Sequence, residues 1–161
     1  MTGLVGTPEV AAELERFLDR AMQEVFGTML GVECGRAELP DWGDRETIAA
    51  LIGLAGAMTG SLVLQSEARA GMRVAELMTG VGPEEVDATT RDAMGEMGNM
   101  VAGAWKGYDP VLASKCLLST PTVVVGQRYE LFSRKAAIRI NRAYRFEGFQ
   151  CTVSVACQLA G

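Results

Sequence analysis

The stretch that decides the fold is IRINRAYRFEGFQCTVSVACQL, residues 138–159. In its first half Ile138, Ile140, Tyr144 and Phe146 alternate with Arg139, Asn141, Ala143 and Arg145. Beyond Glu147-Gly148, Phe149, Cys151, Val153, Val155, Cys157 and Leu159 alternate with Gln150, Thr152, Ser154, Ala156 and Gln158. Successive side chains on a strand point to opposite faces, so the pattern predicts an antiparallel hairpin with one buried face. Arg142 interrupts the apolar row, which predicts that part of this face is exposed or interfacial.

The preceding sequence supplies the helices such a sheet needs. Thr7-Pro8-Glu9 is a helix start: a capping hydroxyl, a first residue with no amide proton to satisfy, and an acid at the positive end. Leu14, Phe17, Leu18, Ala21, Met22 and Val25 then fall on one stripe, predicting a helix from Pro8 to Phe26 with Gly27 and Gly31 at its exit. After a loop at Pro40–Asp44, Glu46–Ala55 and Gly60–Gln65 read as strands joined by a turn at Gly56–Thr59. Ser66 is the expected cap of a helix over Glu67–Met78, and Pro83 the expected first residue of a longer one reaching Trp105. Asp109-Pro110 begins a connector through Ser119-Thr120-Pro121. Thr122–Val125 then reads as a short β-branched strand, and Arg128–Ser133 as a further extended piece. The order predicts one α/β domain over residues 1–161, of the α+β kind: an antiparallel or mixed sheet with long helices on one face.

Composition narrows the chemistry. The 161 residues carry a net charge of -5 and no histidine, so Ser-His-Asp and Cys-His nucleophiles, His-containing zinc sites and a phosphohistidine relay have no histidine to use. A chain of this size buries about 70% of its unfolded surface and needs no metal or disulfide staple. Cys34, Cys116, Cys151 and Cys157 form no C-x-x-C pair, have mostly apolar neighbours, and read as reduced core thiols. Met1–Trp105 hold 7 basic and 17 acidic residues, whereas Lys106–Gly161 hold 8 and 3. The acidic total argues against nucleic acid as a partner. Neither a signal-peptide pattern nor an apolar run of membrane-spanning length is present, so a cytoplasmic protein with no membrane partner is the expectation.

The helix predicted over Pro83–Trp105 carries the informative pattern. With Asp92 at zero on a wheel, Glu96 falls at about 40°, Asn99 at about -20° and Gly103 at about 20°, opposite Val86, Met94, Met97, Val101, Ala104 and Trp105. Gly103 keeps approach to the stripe unobstructed. Gly95 and Gly98 lie on its flanks, where tight packing and an incoming surface are equally good explanations. A carboxylate and a carboxamide one turn apart can meet the same small target. Asn99 can orient a water without taking its proton, and Glu96 can pair with a lysine or arginine of another molecule. Asp92 can support Glu96 or touch the partner. These roles suit assisted hydrolysis in a site that a partner largely supplies.

The run DAMGEMGNM, with Asp92, Glu96 and Asn99 and then Pro121 twenty-two positions on, resembles the motif of the CheC/CheX/FliY family of bacterial chemotaxis phosphatases. The resemblance covers most of the chain and implies a CheC/CheX-like fold. It also implies a hydrolase acting on the aspartyl phosphate of a phosphorylated CheY-like receiver domain. Carried over, Glu96 clamps the receiver's lysine and Asn99 positions the attacking water. Asp92 is accessory, and Pro121 shapes the turn beside the helix. No metal ligand or cofactor of its own is implied, since magnesium belongs to the receiver. Related proteins often repeat the motif on the first helix. The nearest placement here is Asp19, Gln23 and Phe26, where glutamine is no anionic clamp and phenylalanine has no amide, so that helix reads as structural. A single site is closest to CheX, a homodimeric member, and implies a homodimer, for which the C-terminal hairpin edge is a candidate contact. The basic residues Arg128, Arg134, Lys135, Arg139, Arg142 and Arg145 could frame a docking surface for an acidic partner, or simply face solvent. A non-catalytic receiver-binding or flagellar-switch module is the alternative function. A small-ligand sensor would need a closed apolar pocket.

Overall fold

The computed structural model describes residues 8–129 and 136–160. From the N-terminus these form helix α1 (Pro8–Val25), ending in a single π turn at Phe26–Leu30, then strands β1 (Gly35–Ala37), β2 (Thr47–Gly56) and β3 (Met58–Glu67). Helices α2 (Ala68–Thr79), α3 (Ala88–Gly107) and α4 (Pro110–Lys115) follow, then β4 (Cys116–Leu118), β5 (Thr122–Gly126), β6 (Ile138–Phe146) and β7 (Phe149–Leu159).

The hairpin stands as predicted, paired from Ile138↔Cys157 to Phe146↔Phe149. Glu147 and Gly148 take positive φ values of 49° and 82°, the conformation a two-residue turn between right-twisted strands requires. Arg73 of α2 steadies that glutamate, its Nε and Nη2 donating to the carboxylate at 2.6 and 3.1 Å. The antiparallel sheet runs β1-β6-β7-β3-β2-β4, and β5 also pairs with β2. β1 therefore covers the outer strand of the hairpin. Among the described residues β1 pairs only with Ala143–Arg145 of β6, and β4 and β5 lie along the far side of β2. Gly60 permits the close approach of β3 to β7: a Cβ there would lie 2.0 Å from the Ala156 carbonyl oxygen.

Helices cover one face of the sheet. Ile48, Ala50, Ile52 and Leu54 of β2, with Leu62 and Leu64 of β3 and Val153 and Val155 of β7, bury against Leu14, Leu18 and Met22 of α1 and Met94, Met97 and Val101 of α3. Trp105, fully buried, donates from Nε1 to the Leu14 carbonyl at 3.0 Å and so joins α3 to α1. All four cysteines are buried and free. Burial and the nearby Cys116 push the Cys157 thiol up to about 11, which suits inert core thiols.

The break at Arg142 holds a partly exposed ion cluster with α1. Its guanidinium pairs with Glu15 and, at 2.9 Å, with Asp19, one turn apart on α1. The Tyr144 hydroxyl donates to Asp19 at 2.6 Å, and Arg36 approaches the same carboxylate at 3.6 Å. Arg142→Ala is expected to lower stability by about 1–3 kcal/mol, because two half-buried carboxylates lose their cation. Denaturant unfolding measures it, and an unchanged midpoint would show the cluster contributes nothing.

Several boundaries move, among them the turn expected at Gly56–Thr59, where β3 already begins at Met58. The long helix begins at Ala88, not Pro83, because Asp87 caps it, accepting from the Thr90 amide at 3.0 Å and the Thr90 hydroxyl at 3.2 Å. Ser66 does not cap α2; its hydroxyl donates to Glu67 O, and the Ala68 amide donates instead to the Glu46 carbonyl at 2.8 Å. The connector after Asp109 holds α4 and β4, with Asp109 capping Val111 and Leu112 at 2.9 and 3.0 Å. Arg128 is not extended: it has a φ of 52° and pairs with Asp44. The rest of that expected strand, from Glu130 to Ser133, lies outside the described residues, as do Arg134 and Lys135.

Candidate functional site on helix α3

α3 separates its faces as the wheel requires. Ala93, Met94, Gly95, Met97, Gly98, Val101, Ala102 and Trp105 are buried, while Asp92 and Glu96 are exposed and Asn99 and Gly103 partly so. The structure thus brings Asp92, Glu96, Asn99 and Gly103 together on one open face. Of the flanking glycines, packing explains Gly98, while a Cβ on Gly95 would make only ordinary contacts. A Cβ on Gly98 would come within 2.9 Å of the Ala50 Cβ, so this glycine lets the helix lie directly on β2. Gly103 differs: a Cβ there would meet nothing within 4 Å.

The stripe is unused by the molecule's own polar network. Several acids elsewhere are engaged, Glu15 and Asp19 with Arg142, Glu67 with Arg45 at 3.1 Å, Asp44 with Arg128 and Glu147 with Arg73, while others, such as Glu84 and Glu85, are as open as the stripe. Among the described residues, none bonds or pairs with the side chains of Asp92, Glu96 or Asn99. Two acids and an amide are therefore presented outward, free to meet a cation and a water of another molecule.

Pro121 stands beside this turn through a β-bulge. Leu54 pairs with Leu118 and Leu51 with Thr122, so Ser119, Thr120 and Pro121 together face only Ile52 and Gly53. Ser119 closes the irregularity. Its amide donates to the Gly53 carbonyl at 2.9 Å, and its hydroxyl accepts from the Gly53 amide at 2.7 Å and donates to the Thr120 carbonyl at 2.9 Å. Pro121 then rests against Gly95, whose Cβ, if present, would lie 3.4 Å from that of Pro121 and 3.5 Å from Val123 Cγ2. Sequence reasoning placed Pro121 beside the helix but missed Ser119 and its bulge. The signal available was the Ser-Thr-Pro run itself, which favours local side chain to backbone bonding over a regular ladder.

Competing sites are poorer. On α1, Asp19 is committed to Arg142 and Tyr144, and Phe26 is buried with its ring 5.1 Å from that of Phe146, so no second motif is offered. A hollow of about 440 Å³ lies on the sheet face opposite α3, lined by Leu51, Ser61, Val63, Gln65, Tyr129 and Asn141 among others. It is open and mixed in polarity, unlike the closed apolar pocket of a small-ligand sensor. Among the described residues, no group of three or more Cys, Asp or Glu is arranged to hold a metal. No helix among them is long and apolar enough to cross a membrane.

Known structures and families agree with this architecture. No curated protein gives a significant match to the sequence. Among solved structures, the chemotaxis protein CheX of Vibrio vulnificus superposes with a TM-score of 0.78 at 21% identity, over 91% of this chain and 97% of that one. A CheC-like superfamily protein of Shewanella sp. PV-4 gives 0.74 at 23%, over 90% and 97%. A chain of the CheX–CheY–BeF3–Mg2+ complex of Borrelia burgdorferi gives 0.67 at 20%, over 90% and 97%. The family model described as chemotaxis phosphatase CheX matches residues 48–141, from β2 through α3 and Pro121 into β6. With that match and that fold, the chain belongs to the CheX family of chemotaxis phosphatases.

Proposed function

We propose that this protein hydrolyses the aspartyl phosphate of a phosphorylated CheY-like receiver domain in chemotaxis signalling. The observation that carries the reading is the outward pair Glu96 and Asn99, one turn apart on α3 and unengaged within the fold. Water adds to phosphorus as the bond from phosphorus to the aspartyl oxygen breaks, giving inorganic phosphate and a free aspartate carboxylate. The electrophile is already activated in the receiver, and its magnesium neutralises charge there, so this chain need only position groups. Glu96 pairs with the receiver's lysine and fixes the approach of α3. Asn99 holds the water in line through its amide. Asp92 lies one turn N-terminal of Glu96, at the periphery of the contact. The partner in the Borrelia burgdorferi complex, a CheY with BeF3 and Mg2+, supports this choice of partner.

Phosphate release from a receiver charged with a small acyl phosphate, with and without this protein, tests the reading. Acceleration supports it. Tight binding without acceleration establishes the non-catalytic receiver-binding module instead.

Gly103 extends the test. Glycine in a helix costs about 0.5–1 kcal/mol relative to alanine, and nothing in the fold demands it here. Gly103→Ala is therefore expected to raise stability by about that amount. It should also weaken receiver turnover, because a methyl then stands where the partner surface approaches. Raised stability with unchanged turnover would remove Gly103 from the contact.

A further inference from the structure

We infer that Ser119 is a positioning residue for the α3 site, acting through the β4–β5 bulge and Pro121. The inference rests on the phosphatase reading above and concerns how the site is held. Without the bulge, a single strand would run beside β2 in unbroken register. The extra residue shifts the register between Leu118 and Thr122. A bulge disrupts the hydrogen-bond ladder locally and leaves the extra residue outside it. Here both groups of Gly53 are met by Ser119, the carbonyl by its amide and the amide by its hydroxyl.

The same hydroxyl donates to the Thr120 carbonyl, so one side chain fixes β2 and the residue before Pro121. Gly53 has room for this because it carries no side chain: a Cβ there would lie 3.1 Å from the Ser119 Oγ. Pro121, with its φ fixed by the ring, then abuts Gly95, the residue preceding Glu96 and four before Asn99. On the other side of α3, Gly98 sits on Ala50 of β2. The turn bearing Glu96 and Asn99 is thus seated between β2 and the bulge, and Ser119 ties the two together. A displacement near 1 Å at reacting groups is enough to cost a large factor in rate.

The test uses Ser119→Ala and Pro121→Ala in the full chain, with Ile140→Val in β6, across the sheet from β4 and β5, as the control for general destabilisation. Three readouts are taken: kcat and KM on an acyl-phosphate-charged receiver, affinity for a beryllofluoride-charged receiver, and amide hydrogen exchange along α3. Both bulge variants are expected to lose about tenfold in kcat with affinity within about threefold, and to exchange faster at residues 92–99. The control keeps wild-type kcat. Unchanged kcat in the bulge variants overturns the inference, as does a loss confined to affinity, which would make the bulge a docking surface. Unchanged exchange at residues 92–99 overturns it without reference to any receiver. A wild-type chain that accelerates no receiver instead sinks the phosphatase reading itself, so the two failures are told apart.

Discussion

Asn99→Ala is expected to lower receiver dephosphorylation by about 100- to 1,000-fold while leaving affinity for a beryllofluoride-charged receiver within about threefold. The asymmetry follows from the role proposed for the amide. A group that orients water acts on the attacking molecule and adds little to the standing contact between two proteins, so its removal falls on kcat. The substitution is also safe for the fold. Asn99 lies on the partly exposed face of α3, and among the described residues its side chain takes part in no hydrogen bond. Alanine is the better helix former, so lost activity cannot be assigned to a melted helix. Single-turnover phosphate release with the receiver in excess, beside a binding isotherm, separates the two quantities. A rate that survives Asn99→Ala would mean the receiver positions its own water and α3 serves only as a docking rod.

The parts of the fold legible in the sequence are those fixed by local periodicity. The 138–159 hairpin was readable because alternation on one face and a Glu-Gly turn are both local, and the structure pairs those residues as predicted. The face of α3 was readable for the same reason, since a helical wheel needs no tertiary knowledge. Long-range partners were not. Arg142 looked like a flaw in an apolar row because Glu15 and Asp19 are more than 120 residues away. Once placed on α1, they make it an anchor.

The start of α3 was misplaced for a different reason. Pro83 and Asp87 are both valid starts, and periodicity cannot rank them. The Asp87 carboxylate, bonded to both the amide and the hydroxyl of Thr90, decides for the later one. α4 was missed although Asp109-Pro110 repeats the cap-then-proline pattern already used for α1. Six residues are too few to show a periodicity. At the site, the residue types and their shared face were legible. The bulge was not, because three residues opposing two is a property of pairing between strands distant in sequence.

Glu96→Gln is expected to weaken receiver binding about 10- to 100-fold and to lower turnover by at least that factor at sub-saturating receiver. A charge-assisted hydrogen bond is worth about 1.5–3 kcal/mol. Glutamine keeps the length and hydrogen-bonding capacity of the side chain, so the loss reports the charge itself. Two further outcomes distinguish a clamp from a general acidic surface. If Glu96 pairs with one lysine in a contact that excludes water, wild-type affinity falls only modestly between low and physiological salt, and Asp92→Asn costs far less than Glu96→Gln. If the acids act merely as a negative field, both substitutions cost the same and salt abolishes binding in each. The geometry favours the first outcome. Glu96 shares the open face with Asn99 one turn away, beside the seat that Pro121 provides at Gly95, whereas Asp92 lies a turn further toward the capped end of α3. In the proposed complex, a lysine anchored at Glu96 would bring the phosphoryl group it contacts toward the water proposed to be held by Asn99. On that reading the clamp and the water guide act on one reacting centre, and loss of the clamp should cost rate even where enough receiver is supplied to restore binding.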